Sequence, residues 1–450
     1  MSETQQPAAR LPDQATLAPL VAAILDEAKR QGASAAEAAV SASTGLSVTV
    51  RLGEVETLEH HRNRNLGVTV YFGQRKGSAS TGDWKPRAIQ DTVAAACAIA
   101  RHTAEDNCAG LADPGRLASK IPNLDLYHPW DIASEAAIDL ALRCETSARE
   151  LDTRLDNSDG ATVSTSSGLA YYGNSHGFAG GYPSSQHMLS CTMIGRSHGR
   201  MQRDYWYSVA RDAAELESAT AVGRRAAERT IRRLDPRRVK TCQVPVLFVP
   251  EVARGLFGHF LGAIRGGALY RKSSFLVDAL GQQIFPDFLD IREEPHLPRA
   301  MGSAPFDAEG VATRPRHIVE QGILQGYILD SYSARRLGME TTGNAGGVHN
   351  AVVKPTGPGF ETLVKDLSRG LVVTELMGQG INLLTGDYSR GAAGFWVENG
   401  EIQYPVEEIT VAGNLKEMFR AIVVAGSDVD TRGGVHCGSL LIEGMTVAGE

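Results

Sequence analysis

The sequence predicts an α+β protein, with an N-terminal α/β region built on a mixed or antiparallel sheet and a β-rich C-terminal domain. The chain has 450 residues, which is more than one hydrophobic core normally serves. Helical and strand periodicity alternate in the first half, whereas short alternating runs and turn signals dominate the second. We therefore predict three units: 1–120, an α+β subdomain; 121–240, a second α+β subdomain; and 241–450, the β-rich domain.

The first unit begins with a helix at 14–30, where apolar residues recur at helical spacing. Alternation of apolar and polar residues predicts two half-buried strands, Leu46–Leu52 and Leu66–Phe72. A helix at 86–102 follows, and Pro86 suits its first turn. The proline- and glycine-containing stretch 107–130 then indicates a connection between subdomains.

The middle unit is predicted to begin with a helix at 130–150. Residues 157–194 are rich in Ser, Gly, Tyr and Thr, which favours antiparallel strands joined by tight turns. An Ala- and Arg-rich helix at 210–234 ends at Asp235-Pro236, and this break marks the strongest boundary.

The last unit opens with a buried strand at Val244–Val249 and a helix at 251–264. Its clearest local signal is Asn399-Gly400, which supplies the two positive φ angles of a type I′ hairpin turn. The hairpin should pair Glu398 with Glu401 and Val397 with Ile402. Because like charges face each other there, at least one glutamate should find another partner. Short alternating runs predict further strands at 420–450.

Composition argues against several functional classes. The formal charge is −7, so a nucleic-acid partner is not expected, and the basic run at 232–240 is interpreted as a solvated linker. No stretch is long and apolar enough to span a membrane, and Met1–Pro12 lacks the order of a signal peptide. We therefore expect a cytoplasmic protein with reduced cysteines, because the six cysteines form no CxxC pair.

No local motif predicts catalysis. The sequence lacks a P-loop and a GxGxxG after a strand. It has 12 histidines, but apart from adjacent His60 and His61 no two lie within five residues, and no His-Glu dipeptide occurs. A helix-borne zinc pair is thereby excluded. His259, His436 and Cys437 remain candidate ligands of a site built from distant residues, although we favour a structural role for each.

Several long segments, from about residue 40 onward, resemble the TldD/PmbA metalloprotease family (peptidase U62). They are Asn65–Gly73, Tyr172–Phe178, Leu256–Phe275, Thr374–Gly380, Gly386–Phe395 and Val411–Leu415. The PmbA/TldE branch in particular is resembled by three of these segments: Leu256–Phe275, Thr374–Gly380 and Gly386–Phe395. The resemblance implies a TldD/PmbA-like fold.

In this family the TldD branch has a HExxxH helix and a downstream Cys that together hold a catalytic zinc. An ungapped placement puts Phe257 and Gly262 at the two histidine positions and Gly258 at the glutamate position. Only Cys437 matches a ligand of that set. The resemblance therefore implies that this chain has no catalytic residues and no metal of its own, and that zinc resides in a TldD-type partner.

The resemblance further implies a heterodimer acting on unfolded or peptide substrates, such as an antitoxin or a microcin leader. Candidate positions for backbone approach to substrate are Arg265, Gly266 and Gly267 in one segment and Arg390 and Gly391 in another. For either segment taken alone, turn chemistry is the favoured explanation.

Three alternatives stay open at this point. In the first, the chain is a self-sufficient metallohydrolase with non-local ligands. In the second, it is a non-enzymatic modulator of DNA gyrase or of a carbon-storage regulator. In the third, the isolated chain forms a homodimer.

Overall fold

The computed structural model describes residues 11–449, so the prediction about Met1–Pro12 falls mostly outside it. The N-terminal region, up to about residue 240, consists of one large sheet with helices packed on it. Its elements are α1 (Gln14–Arg30), β1 (Ala35–Arg51), β2 (Glu54–Phe72), β3 (Arg75–Thr81), α2 (Pro86–His102), α3 (Ser134–Arg149), β4 (Asn157–Asn174), β5 (Ala179–Ser197), β6 (Arg200–Ala210) and α4 (Ala219–Arg232).

The sheet has the order β3-β2-β1-β4-β5-β6 within the described residues, and every neighbouring pair is antiparallel. Helices α1 and α2 cover one end, where their apolar residues pack on Val40, Leu66 and Val68. Helices α3 and α4 cover the other end and pack on Val48 and Val163. One sheet thus serves two separate cores.

This sheet crosses residue 120, because β1 pairs with β4 along most of its length. The boundaries at 120 and 240 therefore stay predictions. Both predicted N-terminal strands exist but are longer than predicted: β1 begins at Ala35 and β2 at Glu54. The added part of β2 is exposed and polar, and it is held by backbone pairing with β1 rather than by burial.

The C-terminal region contains most of the short strands. Its elements are β7 (Cys242–Phe248), α5 (Pro250–Ala263), α6 (Gly266–Tyr270), β8 (Ile291–Glu293), β9 (Arg316–Glu320), β10 (Ile323–Leu324), α7 (Ser331–Arg336), β11 (Ala351–Val353), α8 (Phe360–Asp366), β12 (Arg369–Met377), β13 (Asp387–Glu398), β14 (Glu401–Asn414), α9 (Leu415–Arg420), β15 (Ile422–Ala425), β16 (Val435–His436) and β17 (Leu440–Ala448).

A barrel-like sheet organises this region in the order β14-β13-β12-β7-β17-β15, and an additional β14–β17 pairing closes it. Strands β12 and β7 are parallel, and the other pairs are antiparallel. Both faces are covered: α5 and α9 contribute to one core and α8 to the other. A second, smaller sheet runs β10-β9-β8-β11-β16 in the described chain. The predicted fold class is confirmed.

The predicted hairpin is also confirmed. Asn399 and Gly400 have φ angles of 51° and 78°, and the pairs are Glu398 with Glu401 and Val397 with Ile402. Glu398 accepts a hydrogen bond from Trp396 Nε1 at 2.9 Å, which is the additional partner expected for one of the two facing glutamates.

None of the helices in residues 11–449 combines the length and the apolar composition needed to cross a bilayer.

Candidate functional site

Helix α5 bears the positions that the resemblance assigns to zinc ligands and a general base. Phe257 is 1% exposed, and its ring lies 6.2 Å from that of Phe285 in the main core. Gly258 is exposed, with open space where a Cβ would stand, and the Cβ position of Gly262 lies 3.7 Å from Leu383. None of these three residues has a side-chain atom that binds a metal or transfers a proton.

Cys437 lies beside the beginning of this helix. Its thiol is 1% exposed, and Sγ lies 3.9 Å from the carbonyl oxygen of Pro250. Burial raises the pKa of the Cys437 thiol, so the thiolate that would bind zinc is strongly disfavoured. The resemblance gives Cys437 the position of a ligand, but its surroundings are those of a neutral core thiol.

The two candidate histidines do not complete a metal site with it. His436 lies on β16, and its Nε2 is 3.0 Å from the carbonyl oxygen of Gly433. His259 lies on α5, with its ring edge-on to that of Tyr388 at 6.2 Å. Burial lowers the pKa of both histidines, and Arg390 lowers that of His259 further. Within residues 11–449, no group of three or more His, Cys, Asp or Glu side chains is placed to hold a metal ion, so the residues present do not fit a zinc site.

A groove lies against α5 at Gly255. Gly255 and Gly258 leave open space at their Cβ positions, and Gly255 lines a cavity of about 280 Å³ with Arg390 and Leu376. The Arg390 guanidinium is fixed by the carbonyl oxygens of Leu376, at 3.3 Å, and Met377, at 3.4 Å. The ends of β12 and β13 thus form one wall and α5 forms a second, while β6 and the C-terminal part of α4 form the rest of the lining.

The predicted substrate-contacting residues separate into two groups. Arg390 and Gly391 lie on β13 beside the groove. Arg265, Gly266 and Gly267 instead follow the end of α5, where the Gly266 N–H donates to the carbonyl oxygen of Ile328 at 2.9 Å. A Cβ on Gly266 would lie 2.2 Å from Ser333 Oγ, which explains this glycine by packing. The roles of these residues toward substrate remain predictions.

A network of buried and half-buried charges joins the two regions beside Cys437. It surrounds a cavity of about 590 Å³. Its main members are Asp204, Arg229, Glu251, Arg254, Asp430 and Arg432. Every arginine of this set lies within 4 Å of a carboxylate.

The network is ordered by hydrogen bonds as well as charge. Arg432 Nε donates to Asp430 Oδ1 at 2.9 Å, and the Asp430 backbone N–H donates to the carbonyl oxygen of Cys437 at 3.0 Å. Arg432 also lies over the Trp206 ring at 4.1 Å, as Arg225 does at 3.7 Å. Sequence analysis missed this cluster because its members come from distant segments and form no local pattern.

Comparison with known families matches most of the chain to one family. Three domain models of the PmbA/TldA metallopeptidase family match this chain. The domain 1 model matches residues 36–100, the central-domain model 127–234 and the C-terminal-domain model 241–449.

Similar proteins agree with this match. The chain is 52% identical to the metalloprotease PmbA of Escherichia coli O157:H7 over 415 residues, covering 92% of each chain. It is 49% identical to the PmbA homologue of Haemophilus influenzae, covering 94% of each.

Two crystal structures share the fold. One is a candidate modulator of DNA gyrase from Bacteroides thetaiotaomicron, with a TM-score of 0.92, 29% identity and coverage of 96% of this chain and 98% of that one. The other is TldE from Thermococcus kodakarensis, with a TM-score of 0.84, 21% identity and coverage of 96% and 100%.

Proposed function

Because this chain belongs to the PmbA/TldD metallopeptidase family, we propose that it is the PmbA/TldE-type subunit of a heterodimeric metalloprotease. In this proposal a TldD-type partner would hold the catalytic zinc, which would supply the Lewis acid needed for hydrolysis of an unfolded peptide. This chain closes the chamber in which the peptide is held.

One observation carries the proposal that the partner cleaves the peptide and this chain does not. The helix that would bear the zinc motif has Phe257 in the core and glycine at the other two positions. A chain that retains the fold but not these side chains can position a peptide without cutting it. Neither the buried thiol of Cys437 nor the neutral His259 replaces the missing groups.

The groove along α5 suits an extended peptide. Gly255 puts no side chain into the groove, so a peptide backbone can approach the helix closely there. Arg390, fixed by carbonyl oxygens at the far wall, offers N–H donors to main-chain oxygens without selecting a side chain. Such contacts admit unfolded chains of many sequences.

Reconstitution tests the proposal. The chain, a TldD-type protein and their mixture are each incubated with an unfolded peptide, and cleavage is followed by mass spectrometry with and without a chelator. We expect chelator-sensitive cleavage by the mixture and none by this chain alone. G255L should lower cleavage by roughly tenfold or more because it fills the groove, whereas G115L, at an exposed glycine on residues 114–116, should leave it unchanged.

Other outcomes would support the alternatives. Cleavage by the purified chain alone, with one equivalent of zinc that Cys437→Ser removes, would establish a self-sufficient metallohydrolase. A stable complex with DNA gyrase and no cleavage by the mixture would favour a non-enzymatic modulator.

A further inference from the structure

A second cavity lies between the first sheet and the loops of the C-terminal region, away from α5. Its volume is about 750 Å³, within the range of pockets that bind small ligands. Strands β1 and β4 form one wall, and the loops around residues 301–308 and 345–349 form the other. Large apolar and aromatic side chains line it: Leu126, Leu169, Tyr172, Tyr182, Phe306 and Val348.

A single buried cation, Arg211, enters this cavity just after the end of β6. It is 9% exposed. Its Nη1 donates to the carbonyl oxygen of Ser185 at 3.0 Å, and its Nη2 to that of Met301 at 2.8 Å. The buried Nε has no hydrogen-bond partner among the described residues. Both contacts are to neutral oxygens, so the charge of Arg211 is solvated but not compensated.

Asp307 is the one carboxylate among the described residues that line the cavity, and it forms no ion pair with Arg211. Asp307 is 2% exposed, and its two oxygens accept backbone N–H groups of Glu309, Val311 and Ala345, each at 2.9 Å. Burial raises the pKa of Asp307 to about 6.

The remaining groups are histidine, arginine and tyrosine. His349 is neutral, because burial lowers its pKa, and its buried Nε2 has no partner in the described part of the chain. Arg64, at the exposed rim, lies over the Trp84 ring at 4.8 Å. Burial raises the pKa of the hydroxyls of Tyr172 and Tyr182, so neither is an anion.

We infer that this cavity binds the C-terminal end of a short apolar peptide, with the peptide carboxylate against Arg211 and its side chains against the aromatic wall. A buried guanidinium without a counter-charge is costly, and a carboxylate is its best-matched partner. A peptide fits better than a small acid because the cavity has room for several side chains. The inference goes beyond the proposed function, since binding would be a property of this chain alone.

Calorimetric titration of the isolated chain with N-acetyl-Ala-Leu-Phe, as the free acid and as the C-terminal amide, tests the inference. We expect the acid to bind roughly tenfold or more tightly than the amide. Arg211→Met should abolish this preference while the amide still binds. Ala170→Phe, at an exposed position of the cavity wall on β4, should weaken both peptides, and Ala98→Phe, at an exposed position on α2, should weaken neither.

Equal affinity of the native chain for acid and amide, or an acid preference that survives Arg211→Met, would overturn the inference. If the methionine variant does not fold, Arg211→Lys should retain the preference, and Ala170→Phe still shows whether the peptides occupy this cavity. N-acetylphenylalanine binding as tightly as the tripeptide would overturn the assignment to a peptide end. These measurements need no TldD-type partner, so their failure is distinct from failure of the reconstitution.

Discussion

The two regions of the protein meet at two cavities whose charged residues are arranged in opposite ways. The first is the cavity of about 590 Å³ beside Cys437, and the second is the cavity of about 750 Å³ that contains Arg211. In the first, arginines and carboxylates alternate, so that Asp430 contacts Arg432 at 2.9 Å and Arg254 at 3.7 Å. In the second, the Arg211 guanidinium donates to two carbonyl oxygens, and the Asp307 carboxylate accepts from backbone N–H groups. Within residues 11–449, neither Arg211 nor Asp307 forms an ion pair with an oppositely charged side chain.

The difference separates structure from function. Paired charges hold two surfaces together, because the attraction between the two ions offsets part of the hydration free energy that each ion loses on burial. Uncompensated buried charges destabilise the protein by themselves, and titratable groups with strongly perturbed pKa values cluster at functional sites. The charges around the first cavity are therefore interpreted as a structural connection between the regions, and the second cavity as a ligand-binding site.

Breaking the compensated network should have the largest effect. Asp430→Asn removes the carboxylate between Arg254 and Arg432, and we expect it to lower the free energy of unfolding by about 3–5 kcal/mol, measured by urea denaturation. As a control, Glu56→Gln breaks the exposed contact with Arg51 and should change stability by less than about 1 kcal/mol. If Asp430→Asn lowers stability as little as Glu56→Gln does, Asp430 does not connect the two regions.

The uncompensated acids near the second cavity should make stability depend on pH. Burial raises the pKa of Glu309 to about 7, above its usual value of 4.5. Between these values the native state holds a proton that the unfolded state releases, so stability falls as pH rises. We expect a loss of about 2–3 kcal/mol from Glu309 between pH about 4.5 and about 8.

Urea denaturation at a series of pH values measures this slope. Glu309→Gln should flatten it, whereas Glu54→Gln, on the exposed start of β2, should leave it unchanged. An identical slope in the native chain and the Glu309→Gln variant would show that Glu309 is ionised in the folded protein.

The smallest effect is expected from Arg211→Met. Loss of two hydrogen bonds to carbonyl oxygens is offset by removal of a desolvated charge, so stability should change by no more than about 1 kcal/mol. Urea denaturation beside Asp430→Asn gives the comparison directly. A loss as large as that of Asp430→Asn would make Arg211 a structural connection like those of the first cavity.

Local pattern was enough to predict much of the fold. Helices α1 and α2 end where their apolar periodicity ends, at Arg30 and His102. The register of the β13–β14 hairpin followed from Asn399-Gly400 alone. The starts of β1 and β2 were missed because Ala36 and Ala38 are weak hydrophobic signals and the outer half of β2 is polar.

The sites were harder to predict because they depend on long-range contacts. Nothing in the sequence brings Asp204 near Arg432, or Arg211 near Met301, before both regions have folded. The substitutions at Phe257, Gly258 and Gly262 were identified through family resemblance, and spacing alone showed only that no histidine pair exists on a helix.

The closure of the barrel-like sheet has a consequence for synthesis of the protein. Strand β17 lies between β7 and β14, so β7 cannot gain its second neighbour until the ribosome has released residues up to Ala448. Joining strands so far apart in the chain is slow. During translation the nascent C-terminal region must wait with an unpaired strand edge, and such an edge is a natural binding site for a chaperone.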